Sequence, residues 1–234
     1  MRTMSLTAEL VAACHRDEPD EGRHPEFTPL ADHEYPVLVD RLVAESHPHP
    51  LWIFAYGSLI WNPAFPIDET RRATAFGWHR SFCMELHNWR GSRQQPGLMM
   101  ALDNGGRCNG IAYRIAEADR ANVIGHLVDI EINAVEDVAS IRWLPVATQH
   151  GPVRALAFYV GPRGPGIRRG LPLEEVGHIL AHACGHKGSG AEYLYHTVRR
   201  LKEHGIRDRN LWRLQQLTAE AIVNRLRAEG KADR

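Results

Sequence analysis

This 234-residue chain lacks a net charge, because 28 Lys and Arg side chains balance 28 Asp and Glu. With no global field, charge gives no argument for a nucleic-acid partner or an acidic membrane. Aromatic and basic residues are not interleaved along any strand-like stretch, so a single-strand nucleic-acid platform has no support either. No apolar run approaches the roughly eighteen residues of a membrane-spanning helix. The four cysteines, Cys14, Cys83, Cys108 and Cys184, are far apart and form no CxxC pair, which argues against zinc ribbons and thioredoxin-like redox chemistry. The first residues hold only a short apolar patch followed by acids, which does not read as a signal peptide, so a reducing cytoplasm is expected. HExxH, GxSxG and a glycine-rich loop ending in GK[ST] are also missing, as are internal repeats and low-complexity blocks.

The charge that is present is uneven. Residues 1–50 carry ten acidic and four basic side chains, and the last thirty-six carry ten basic and five acidic ones. This describes solvated end segments. Asp17–Pro36 mixes acids, histidine and four prolines, which disfavours regular structure, with short helices expected on either side at Ser5–Cys14 and Pro36–Glu45. Residues 1–50 therefore read as an N-terminal extension, 51–215 as the compact domain, and 216–234 as a C-terminal helix and tail.

From Leu51 the pattern is rich in strands. Leu51–Ala55 is a continuous apolar run, and Arg72–Glu85 suggests one or two strands around a turn at Gly77. Leu98–Leu102 and Cys108–Ile115 flank Asp103-Asn104-Gly105-Gly106, the composition of a hairpin turn. Ala116–Val128 has apolar residues at helical spacing. Ile141–Thr148 and Val153–Val160 form a second hairpin, and Gly161–Gly170 is irregular and basic. Helices follow: one starting at Pro172, then Ala191–His204 and Asn210–Ala228. Strands first and helices afterwards predict an α+β fold, a small and mostly antiparallel β-barrel with peripheral helices.

Leu51–Trp61, LWIFAYGSLIW, reads as a buried strand that turns sharply at Tyr56-Gly57-Ser58. Backbone N–H groups at such a turn can cradle an anion or carboxylate, and a plain tight turn has the same composition. Ser58 follows a strand as a nucleophile does, without the second glycine of a nucleophile elbow. Glu131 stands between Ile130 and Ile132, where lost hydration would raise its pKa toward proton-transfer range; a strand-edge glutamate facing water fits the same pattern. Asp129, Glu136 and Asp137 compete for that role among more polar neighbours. His178 and His182 lie four apart on one helix face with His186 beyond, but Gly185 intervenes and no carboxylate completes a zinc set, so cap or surface histidines are expected. Arg93, in the Gly91–Gly97 loop, is a candidate for a substrate carboxylate or an ordinary solvated arginine.

FAYGSLIW at Phe54–Trp61, RGS with PGLMMALDNGGRCNGIAYRI between Arg90 and Ile115, and ACGHKGSGAEYL at Ala183–Leu194 together resemble the ChaC-like γ-glutamylcyclotransferases, in the branch acting on glutathione. The resemblance runs in one order over about residues 50–215. It implies a cofactor-free enzyme with a small-molecule substrate, glutathione, cyclised to 5-oxoproline with release of cysteinylglycine. It places the catalytic acid/base on Glu131. It implies a substrate-binding set of Ile53, Phe54, Ala55, Tyr56, Gly57, Ser58 and Leu59, joined by Tyr193. The chain departs from the family pattern with Ala55 for a usual glycine, Ile130 for a usual arginine, and Asn133–Asp137 for a Gly-Tyr turn. Other γ-glutamyl amides or amines as substrates, and a non-catalytic γ-glutamyl-binding module, are the alternatives. Oligomeric state has no signature in the sequence.

Overall fold

A computed structural model of the protein describes residues 3–22, 27–161 and 166–230. Two compact units emerge, one from Pro25–Arg80 and Ala101–Pro165, the other from Met1–His24, Ser81–Met100 and Gly166–Arg234, each as far as its residues are described. Part of the irregular segment expected at Gly161–Gly170 lies outside the described residues, as do residues 23–26 of the proline-rich stretch and the tail at 231–234.

The first unit is centred on a closed barrel of β1 (Trp52–Ala55), β2 (Glu69–Leu86), β3 (Gly97–Arg114), β4 (Ile141–Thr148) and β5 (Gly151–Phe158), in the order β1-β3-β2-β4-β5. β1 runs antiparallel to β3, with Ala55 opposite Ile111, and closes the barrel through a parallel pairing with β5 at Trp52–Ala155 and Ile53–Leu156. A strand covered on both faces should be apolar throughout, and every residue of Leu51–Ala55 is buried. Inward positions alternate along the strands. Trp52 and Phe54, Leu144 and Val146, and Ala155, Ala157 and Tyr159 form the lumen core with Ala73, Ala75, Leu102, Cys108 and Ala112. Alanines opposite aromatics are what a five-strand lumen has room for. Helices α2 (Glu34–Ser46) and α3 (Arg120–Glu131) pack against each other in the same unit.

Two turns expected from the sequence are absent. Gly77 and Asp103–Gly106 lie inside strands eighteen residues long, and the connection between those strands falls at residues 87–96. Gly77 has φ +81, and Gly105 and Gly106 have φ +105 and +70. A glycine in that region can form a bulge as readily as a turn, and bulges supply the extra coiling that a small closed barrel requires. His79 Nδ1 lies 3.2 Å from the Gly105 carbonyl oxygen, so the two irregularities are joined across the ladder.

The second unit is mainly helical: α1 (Ala8–Ala12), α4 (Leu173–His182), α5 (Gly190–Glu203) and α6 (Arg209–Ala228), with a two-strand ribbon of β6 (Cys184–Gly185) and β7 (Gly188–Ser189) between α4 and α5. Ser189 and Asp208 cap α5 and α6 through the Glu192 and Leu211 N–H groups. Buried Gln215 accepts from the Ser5 and Leu6 N–H groups, each at 2.8 Å, which fastens the start of the chain to α6. All four cysteines are buried free thiols. Among the described residues, no helix is long and apolar enough to cross a membrane.

Candidate functional site

β1 delivers the chain to Tyr56-Gly57, where a single 3₁₀ turn, Ser58–Ile60, begins. The Gly57 carbonyl accepts from Ile60 N–H at 3.0 Å, and the Ser58 carbonyl accepts from Trp61 and Asn62 at 3.0 and 2.8 Å. The turn begins directly at the end of a buried strand. Ile53, Phe54 and Ala55 are wholly enclosed, which makes them the support of the loop. The turn is three residues long, without the long helix that follows a nucleophile elbow.

Three groups hold this loop. The Tyr56 hydroxyl donates to the Phe158 carbonyl at 2.8 Å, at the end of β5. Arg80, only 8% exposed, donates from Nε to the Tyr56 carbonyl at 2.6 Å and from Nη2 to the Asn109 carbonyl. Gly110, next to Asn109, gives β1 room: a Cβ there would collide with the Ala55 carbonyl oxygen and lie 2.9 Å from the Phe54 ring. Sequence reasoning missed Arg80. No local pattern marks it: the buried positions of β2 change parity across Gly77, from Ala73 and Ala75 to Arg80 and Phe82, and that change is visible only in the fold. Arg80→Met removes charge-assisted bonds worth about 1.5–3 kcal/mol each. Urea unfolding should show a stability loss of about 2–4 kcal/mol from the same source, and KM should rise more than kcat falls, because the loop loses its anchor. A loss below about 0.5 kcal/mol would remove Arg80 from the account.

Glu131 is the last residue of α3, with the Ile132 N–H closing the helix on the Val128 carbonyl. It is therefore a helix-end residue, not part of a strand. The residue is half-buried, and its carboxyl is enclosed by protein. Burial, and then the charge of Asp137, push its pKa up from 4.5 to about 7. The negative end of the helix dipole acts in the same direction. Among the described residues the carboxyl has no hydrogen-bond donor and no cation. Of the competitors, Asp129 and Glu136 are exposed. Asp137 instead organises the turn after the helix: its Oδ2 accepts from the Asn133 and Ala134 N–H groups at 2.8 and 2.9 Å. Ile130, which precedes Glu131, and Val135, four residues after it, are exposed apolar side chains, at 41% and 44%.

The loop and the Glu131 turn are tied to one strand end. Phe158 takes the Tyr56 hydroxyl through its carbonyl, and the Tyr159 N–H donates at 2.9 Å to Ser140, which closes the turn that follows Ala134. Tyr193 belongs to the other unit. It is 3% exposed on α5, edge-on to Phe82 at 6.0 Å, with the Arg90 guanidinium 5.6 Å from its ring. Arg90 also bonds the Ser189 carbonyl at 3.0 Å and Glu192 at 2.7 Å. A Cβ on Gly185 would lie 2.6 Å from the Gly91 carbonyl oxygen, which accounts for the glycine where the ribbon crosses this loop. Arg93 donates its backbone N–H to Glu21 at 2.8 Å and is exposed. The His178 and His182 rings stack 4.2 Å apart, and His182 Nδ1 lies 2.7 Å from the His178 carbonyl. Among the described residues, no group of three or more His, Cys, Asp or Glu stands together as a metal site would require.

A closed five-strand barrel with helices around it is the fold of γ-glutamyl cyclotransferases. The crystal structure of a cyclotransferase specific to glutathione from yeast matches 73% of this chain and 96% of its own, with a TM-score of 0.66 at 17% identity. The chain belongs to the ChaC-like protein family, which matches residues 51–221. Among curated relatives, the glutathione-specific gamma-glutamylcyclotransferase of Escherichia coli K12 is 36% identical over 163 residues, covering 69% of this chain and 70% of the relative. Glutathione-specific gamma-glutamylcyclotransferase 1 of Rattus norvegicus is 30% identical over 153 residues, covering 64% and 69%.

Proposed function

We propose that this protein is a cytoplasmic γ-glutamylcyclotransferase that cleaves glutathione to 5-oxoproline and cysteinylglycine. The observation that carries the reading is the Glu131 carboxyl, enclosed, unpaired among the described residues and poised at about pH 7, in a chain of the ChaC-like family. The nucleophile and the electrophile of this reaction lie in one substrate molecule. The α-amino nitrogen attacks the γ-carbonyl carbon, a five-membered lactam closes, and the bond to the cysteinyl nitrogen breaks. The amine is an ammonium at neutral pH and must lose two protons to become the lactam N–H. The first is released to water before attack; Glu131 takes the second as the ring closes and returns it to the departing cysteinyl nitrogen, which leaves as an amine and regains a proton from water, so the step balances without a cofactor. The remaining work is geometric: the γ-glutamyl unit must be held folded in a near-attack shape. The Tyr56–Leu59 turn supplies amides for the substrate α-carboxylate or for the oxyanion at the γ-carbonyl.

Incubating the purified protein with glutathione and following both products tests the reading. Stoichiometric 5-oxoproline and cysteinylglycine is the expected result, and binding without turnover would leave a metabolite-binding module. The exposed, uncharged Ile130 beside Glu131 favours a second reading, in which apolar γ-glutamyl amides or amines are also accepted. A panel of γ-glutamyl dipeptides and amines ranked by kcat/KM separates the two.

A further inference from the structure

The family match begins at residue 51, yet the turn that follows Glu131 is gripped by residues well upstream of it. Pro29 forms an antiparallel bridge with Ala134. The Thr28 carbonyl accepts from the Val135 N–H at 2.9 Å, and the Thr28 N–H donates to the Glu136 carboxylate at 3.2 Å. Glu136 is held below the usual carboxylate range by its own backbone N–H and by Thr28. Further along, half-buried Tyr35 at the start of α2 donates its hydroxyl to the Ile132 carbonyl at 3.2 Å.

The last bond is the informative one. The Ile132 carbonyl and the Asn133 N–H are the two ends of one peptide unit. Tyr35 holds the first, and Asp137 Oδ2 holds the second at 2.8 Å. With both ends fixed, that peptide cannot rotate, and it lies one residue beyond Glu131. It therefore sets where α3 stops and how Glu131 stands relative to Asp137. The division of labour within the segment supports this. Its apolar residues Leu38 and Leu42 are buried on α2, while these polar bonds converge on residues 132–136.

We infer that residues 28–35, outside the family match, are a positioning strap for Glu131, with Tyr35 acting through the Ile132–Asn133 peptide. The inference rests on the reading of Glu131 as the acid/base. Tyr35 touches no reacting atom and is a positioning residue. Without the strap, α3 frays at its end, water reaches the carboxyl, and Glu131 drifts toward ordinary carboxylate behaviour.

The test is Tyr35→Phe in the full chain, which keeps the ring and deletes the hydroxyl. The expected result is a kcat lower by about 5–20-fold, KM within about twofold, and the ascending limb of the pH–rate profile moved about half a unit or more toward acid. An unchanged kcat and limb overturns the inference. So does a loss of activity carried by KM with the limb unmoved, which marks a purely structural part. If Tyr35→Phe does not fold, exposed Glu136→Gln weakens the Thr28 grip and is read by the same limb. Glu131→Gln is measured beside them: if it retains wild-type turnover, the acid/base reading itself has failed. An inactive Glu131→Gln alongside a Tyr35→Phe enzyme of wild-type profile removes the strap alone.

Discussion

Glu131→Gln should lower kcat for 5-oxoproline formation by about a thousandfold while leaving the fold intact, the middle of the range for a positioned acid/base. Glutamine keeps the shape of the side chain and its place at the end of α3, but it cannot accept the proton of the attacking amine. The pH dependence sharpens the test. With the carboxyl poised at about 7, wild-type kcat/KM should rise through that region as the base form appears, and the residual activity of the variant should lack this limb. Stability should move the other way. The folded-state pKa lies above the unfolded value of 4.5, so the native state holds the extra proton between 4.5 and about 7. The stability this group contributes is complete below 4.5 and is lost as the pH rises through 7. Glu131→Gln should therefore be more stable than wild type at pH 8, by up to about 3 kcal/mol from the size of the shift, with the gap closing toward pH 4. Turnover within tenfold of wild type would end the mechanism, however the stability behaved.

What the sequence revealed about this site follows how local each cause is. β1 was legible because burial on both faces writes itself as five consecutive apolar residues. The barrel class was legible from strands preceding helices. Glu131 stood out by its isoleucine neighbours, but they reach their places differently from what a strand predicts: Ile132 is fully buried and Ile130 projects at 41% exposure. A helix end makes that split, since residues two apart on a helix point about 200° apart, to opposite sides, whereas on a strand they share a face. Gly77, Gly105 and Gly106 were misread as turns because a positive φ serves a turn or an irregularity within a strand, and only the course of the chain decides. Arg80 and Tyr35 were invisible for a third reason. Their partners lie 24 and 97 residues away along the chain, and no local pattern records a bond to a distant carbonyl.

Gly110→Ala should be among the most damaging single-methyl changes in the barrel. The added Cβ would meet the Ala55 carbonyl oxygen, which is backbone held in the β1–β3 ladder, and the Phe54 ring at 2.9 Å, which is fixed in the lumen core. Neither can rotate away as the tip of a flexible side chain could, so the cost should reach or exceed the usual overpacking range of about 1–3 kcal/mol. Any relief must come from shifting the end of β1. That end carries the Tyr56–Leu59 turn, and a displacement of about 1 Å in a positioning element can cost around a hundredfold in rate. Gly110→Ala should thus lower both the unfolding midpoint and kcat/KM. Gly125→Ala, on the helix that presents Glu131, is the matched control. A Cβ there meets nothing within 4 Å, so the exchange should be neutral or stabilising by about 0.5–1 kcal/mol through helix propensity. If the two variants unfolded at the same denaturant concentration with equal activity, the close approach of β3 to the end of β1 would not be what holds the Tyr56–Leu59 turn in place.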